Sequence, residues 1–119
     1  MVTYLWVALG GALGSVGRFW LNGLVTERTG GGFPWGTLLI NVLGSFAIGI
    51  FATMPATQDT TKKFLMAGLC GGFTTFSAFS LQTLELMQAG EIIPALGYAI
   101  GSVVLCVLAT YAGWALVRL

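Results

Sequence analysis

The sequence predicts an all-helical integral membrane protein with four transmembrane helices, the third of them broken near its middle. Three observations predict it. The 119-residue chain is 56% hydrophobic and only 8% charged, with a mean hydropathy of +0.90, whereas soluble domains carry about 25% charged residues. Its apolar residues gather in four runs, each near the ~20 residues that a hydrocarbon crossing requires. The third run contains "LCGGFTTFSAFS", residues 69–80, where two glycines and four hydroxyls interrupt the apolar pattern.

The first run covers residues 3–25 and carries Gly10 and Gly14 at GxxxG spacing, with Arg18 as its one charge. It lacks a basic leader region and is too long for one, so it reads as a span and not as a cleaved signal. The second, residues 35–54, opens after Pro34, where proline suits a first turn. The third covers residues 63–87. The fourth, residues 92–117, has Pro94 in its first turn and a second glycine pair, Gly97 and Gly101. Small residues at this spacing let helices approach closely in lipid, within a chain or between chains. The connections "TERTGGGFP", "PATQDTTKK" and "QAGEI" hold most of the charge and leave no linker. One transmembrane domain, residues 1–119, is expected.

Four spans put Lys62, Lys63 and Arg118 on one side and Arg28, with Arg18 if it reaches the interface, on the other. This is a weak positive-inside bias. It permits insertion in both orientations, hence antiparallel copies, and equally a single orientation set by the two lysines. A net charge of +1 points to no nucleic-acid partner. With no His and no clustered acids, there is no acid–base pair for an enzyme. Cys70 and Cys106 lie in apolar runs and read as reduced packing residues.

Polar groups inside spans carry the functional expectation. Thr37, Asn41 and Ser45 share one face of the second helix; Asn41 is either interhelical glue or a donor to a ligand. Tyr98, Ser102, Cys106 and Thr110 form a polar stripe on the fourth, read as a hydrated or ligand-lined track. At Gly71, Gly72, Thr74 and Thr75 the third helix either breaks or packs closely as an unbroken, glycine-rich helix. A break at membrane depth must line a cavity or be buried, and its freed carbonyls suit a small cation such as sodium. Phe76 and Phe79 lie on one face, with Ser77 and Ser80 beside them. Phenyl edges are positive, so rings, amide and hydroxyls together suit a small, hard anion held weakly enough to leave. Arg18 can snorkel, pair with Glu85, or attract anions at a mouth.

"GGALGSVGRF", "PWGTLLINVLGSFAIG" and "GLCGGFTTFSAFS" resemble, in order, the signature segments of the Fluc (CrcB) fluoride channels. The resemblance covers essentially the whole chain. It implies an antiparallel, dual-topology homodimer in a bacterial inner membrane, exporting fluoride passively. It implies a fluoride pathway with Asn41 as the pore amide and Phe76 and Phe79 as aromatic box. Tyr98 and Ser102 would continue it, with Thr75, Ser77, Ser80 and Cys106 as polar neighbours and Arg18 near the mouth. The carbonyls of Gly71 and Thr74 would bind a structural sodium ion (Na+) between the subunits. Gln82, Ala78 and Cys106 depart from residue types common in the family. Two rival readings are a small multidrug-type transporter, for which Glu85 is the sole candidate acid, and a non-transporting assembly subunit.

Overall fold

Glycine stops close two of the helices. In the computed structural model, which describes residues 1–119, α1 (Val2–Thr29) ends where Gly30 turns left-handed, φ 85°, and its N–H reaches the Thr26 carbonyl at 2.9 Å. Without a Cβ, glycine takes this cap conformation freely. Gly90, φ 81°, plays the same part after the third span, where the Glu91 N–H returns to the Leu86 carbonyl at 2.9 Å. α2 (Trp35–Phe51) follows Pro34, and α6 (Ile92–Arg118) closes the chain.

The third span is composite. A 3-10 turn (Ala56–Gln58) and α3 (Asp59–Lys63) lead into a π-helical stretch, Phe64–Cys70, then one turn of α4 (Gly71–Phe73). Thr74 and Thr75 are extended, ψ 157° and 113°, and α5 (Phe76–Gln88) resumes the helix. The break therefore exists, and the unbroken alternative is excluded. The fold is four helices without strands, the third interrupted.

Three expectations change. α1 runs four residues past position 25, because nothing breaks it before Gly30. α2 stops at Phe51, where Thr53 and Met54 fold back onto the Ile50 and Phe51 carbonyls, both at 3.1 Å. And of the four runs, only Ala56–Gln88 and Ile92–Arg118 combine the length and hydropathy of a membrane crossing; α2 has 17 residues, and α1 has length without the hydropathy.

The reason lies in the packing. α1 rides on the π stretch and α4, backbone against backbone. A Cβ on Gly10 would meet the Phe64 carbonyl oxygen at 2.7 Å, and one on Gly68 the Val7 carbonyl oxygen at 2.9 Å. A seam of glycines needs little hydrophobicity. α2 pairs most extensively with α6, where Gly49 meets the Thr110 carbonyl and Gly113 the Phe46 carbonyl. The Gly10–Gly14 pair is thus internal, while Gly97 and Gly101 face open space. Only 14 of 119 residues are buried, and large apolar side chains such as Phe19 (83% exposed), Ile93 (78%) and Val107 (64%) point outward.

Candidate functional site: a cavity at the break

α2, the break, α5 and α6 enclose a cavity of about 400 Å³. α2 contributes Asn41, Gly44 and Ser45; the third span contributes Cys70, Gly71, Thr74 and Thr75. Phe76, Phe79, Ser102 and Cys106 complete its functional lining. Gly44 permits this arrangement, since any Cβ there would run into the Thr74 methyl group.

Asn41 holds the break. Its Oδ1 accepts from the Thr75 N–H at 2.8 Å, and its Nδ2 donates to the Thr75 carbonyl at 3.2 Å. One side-chain amide so pairs with the N–H and the carbonyl of the same residue, in the manner of a neighbouring strand. Downstream, the Thr75 hydroxyl caps α5 by accepting from the Ala78 N–H at 3.1 Å, the usual work of an N-cap threonine. Upstream, the Thr74 N–H and hydroxyl both donate to the Cys70 carbonyl, each at 2.9 Å.

These substitutions leave carbonyls without helical partners. The Thr75 N–H goes to Asn41 and not to Gly71, and the Ala78 N–H goes to Thr75 Oγ1 and not to Thr74. The Gly72 carbonyl is taken by Arg18, whose Nε donates to it at 3.2 Å. Arg18 therefore reaches the break through its Nε; it does not pair with Glu85, the one ion pair being Lys63–Asp59 at 3.2 Å. A cation suits the carbonyl end of a helix. Gly71 and Thr74, by contrast, line the cavity with hard oxygen donors of the kind sodium prefers, so the residues present fit the implied ion. No cluster of three or more His, Cys, Asp or Glu offers another metal site.

On the opposite wall, Ser102 Oγ is buried and has no hydrogen-bond partner. A buried hydroxyl left unpaired is costly, and its residue belongs to the cavity lining. Cys106 lies one turn further along α6, a free thiol. The aromatic residues form a contiguous series: Phe76 to Phe79 at 5.4 Å between centroids, then Phe79 to Tyr98 at 5.2 Å.

The cavity is thus lined by amide, hydroxyl, thiol and phenyl residues around the break, with no charged side chain. Residues 5–114 match the family model described as "CrcB-like protein, Camphor Resistance (CrcB)". The chain belongs to the CrcB family. Among similar CrcB proteins, the fluoride-specific ion channel FluC of Methylocella silvestris is 54% identical over 116 residues, covering 92% of this chain and 88% of that one. The FluC of Opitutus terrae is 55% identical over 119 residues, 95% and 90% of the two chains. That of Thermus thermophilus is 48% identical over 119 residues, 98% and 95%.

In this CrcB chain, six of the ten expected pathway residues line the cavity: Asn41, Thr75, Phe76, Phe79, Ser102 and Cys106. Tyr98 stands behind it, 1% exposed, its hydroxyl donating to Gln82 Oε1 at 3.1 Å. Ser77 is exposed and meets the Thr75 hydroxyl at 3.3 Å; Ser80 is exposed and lies outside the cavity lining. Arg18 lies on the α1 side of the break. The stripe on α6 is shorter than its spacing suggests, because Thr110 donates to the Ser45 carbonyl at 3.0 Å and the Cys106 carbonyl at 3.1 Å. It fastens helices together. Gly44, which lines the cavity, and Gln82, which holds the Tyr98 hydroxyl behind it, are the residues that sequence reasoning passed over as parts of the site. Only Gln82 carried a signal, an amide in the middle of an apolar helix, one turn from Phe79.

Proposed function

We propose that the chain is a fluoride-selective channel that exports fluoride passively across a bacterial inner membrane, lowering its cytoplasmic level and conferring fluoride resistance. The observation that carries this reading is the unpartnered Ser102 hydroxyl, set in an uncharged cavity beside Phe76, Phe79 and the clamped break. An anion there would be drawn by the spare Ser102 O–H and by positive phenyl edges, with no cationic side chain to hold it fast. Asn41 acts first as the clamp that holds the break open; its second amide N–H is free to serve the anion. Fluoride that accumulates in a cytoplasm more alkaline than the medium then leaves down its own gradient. This is transport without bond chemistry, so the protein is no enzyme.

The outward-facing apolar side chains support residence in the bilayer as a multi-pass protein. The cavity's open side, where Phe76 is 76% exposed beside Val103 and Val107, supports a homodimer whose second copy covers it. Antiparallel pairing follows the family resemblance and the weak charge bias. Sodium, when bound, supplies a fixed structural charge; the carbonyls of Gly71 and Thr74 are the groups that would hold it.

Fluoride efflux from liposomes carrying the purified protein tests the reading, with chloride as control. Rapid fluoride release and chloride retention are expected, and Phe76→Ile or Phe79→Ile should cut release sharply while the assembly persists. Equal rates for both ions, or no fluoride release, would reject it.

A further inference from the structure

A second cavity, of about 410 Å³, opens at the end of the helices near the α1–α2 loop. Asn22 and Thr26 of α1, Gln82 of α5 and Phe33 of the loop line it, with the exposed Glu85 and Glu91 at its rim. Tyr98 belongs to the lining of neither cavity. It stands between them, held on three sides. Phe33 presents itself edge-on at 5.4 Å between centroids and 85° between planes, Phe79 leans on it from the inner cavity, and Gln82 accepts its hydroxyl. Phe33 is half-buried against the Leu86, Ala95 and Tyr98 cluster and leans on Trp35, 4.6 Å between centroids and 50° between planes. The wall between the two cavities is therefore aromatic, and it carries one polar pair, the Tyr98 hydroxyl on the Gln82 amide.

We propose that Phe33 is the closing element of the outer mouth, and that its displacement limits the rate at which an anion passes between the two cavities. This rests on the fluoride-channel reading and adds to it a rate-setting residue outside the cavity. Phe33 is carried by Gly30, Gly31 and Gly32; the first two hold φ values of 85° and 80°, and a Cβ on Gly30 or Gly32 would touch nothing. The ring can swing away without moving a helix. An anion arriving from the mouth competes with Gln82 for the Tyr98 O–H. Bulk at position 33, more than its aromaticity, sets the barrier.

The test is fluoride and chloride efflux from liposomes for wild type, Phe33→Ala, Phe33→Leu and Phe33→Trp. Opening a constriction should raise fluoride efflux at least ~3-fold in Phe33→Ala, and the larger ring of Phe33→Trp should lower it about as much. Phe33→Leu, which restores most of the bulk, should stay near wild type, and chloride should remain excluded throughout. A conducting wild type with an unchanged or slower, monodisperse Phe33→Ala overturns the proposal. Should Phe33→Ala fail to assemble, an unchanged rate in Phe33→Trp overturns it as well. A wild type that releases no fluoride instead overturns the channel reading.

Discussion

The two walls of the inner cavity treat their polar groups in opposite ways. On the α2 side, both ends of the Asn41 amide are bonded to Thr75 and the Thr75 hydroxyl caps α5. On the α6 side, Ser102 Oγ has no partner and Cys106 offers a free thiol. One wall builds the site and the other is left for what enters it. Polar residues inside a span thus fall into two kinds, and hydrogen-bond partners, not residue type, tell them apart.

The largest effect should come from destroying the frame beneath both walls. A Cβ on Gly14 would run into the Leu69 carbonyl oxygen and meet the Phe73 N at 2.7 Å, both rigid backbone. Gly14→Val should therefore cost about 3 kcal/mol or more, the upper range for overpacking, and prevent a monodisperse protein in size-exclusion chromatography. A well-behaved, conducting Gly14→Val would show that α1 can separate from the break without consequence.

Asn41→Asp probes the builder wall, the clamp and the spare amide donor together. The change keeps the shape, retains the acceptor for the Thr75 N–H, and sets a carboxylate oxygen against the Thr75 carbonyl. Losing a bond and gaining a repulsion should lower fluoride flux by at least ~100-fold, with a sodium-binding change visible in melting temperature against sodium concentration. Flux within a few-fold of wild type would mean that the clamp is dispensable.

A paired experiment sharpens the contrast on α6. Ser102→Ala removes a hydroxyl that bonds nothing in the protein, so melting should hold while flux falls ~5-fold through a lost donor to the anion. Thr110→Val removes a hydroxyl that joins two helices, so stability should fall by about 0.5–1 kcal/mol with flux nearly unchanged. The reverse pattern would erase the distinction between binding and fastening residues.

The same distinction explains what the sequence could and could not disclose. Four helices, the turn glycines and the break are written locally, in apolar runs and in the Gly71–Thr75 cluster. The π stretch is not, because its register is set by Gly68 and Gly72 closing on the backbone of α1. Arg18 reads as a surface-seeking charge until the break places a bare carbonyl within its reach. Thr110 shares the spacing of Ser102 and differs only in having the Ser45 carbonyl opposite. Phe33 lies in a loop, and nothing in the chain's order places it edge-on to a tyrosine 65 residues later. Each of these depends on a partner from another helix.

The smallest expected effect tests whether the open wall is open because of chemistry or only because of geometry. Cys106 follows Ser102 by one helical turn and lines the same cavity. A thiol is a weak donor, so if an anion passes along this wall it meets one good donor followed by a poor one. Cys106→Ser replaces the poor donor without adding bulk, and should raise fluoride flux about twofold if the hydroxyl points into the cavity. A hydroxyl on a helix has another choice, however: it can bend back to the carbonyl one turn earlier, as Thr110 does toward Cys106 at 3.1 Å. Were the new serine to do so at Ser102, flux would stay level and melting temperature would rise slightly. Measuring both quantities on this one variant therefore shows whether the binding wall extends beyond Ser102 or ends there.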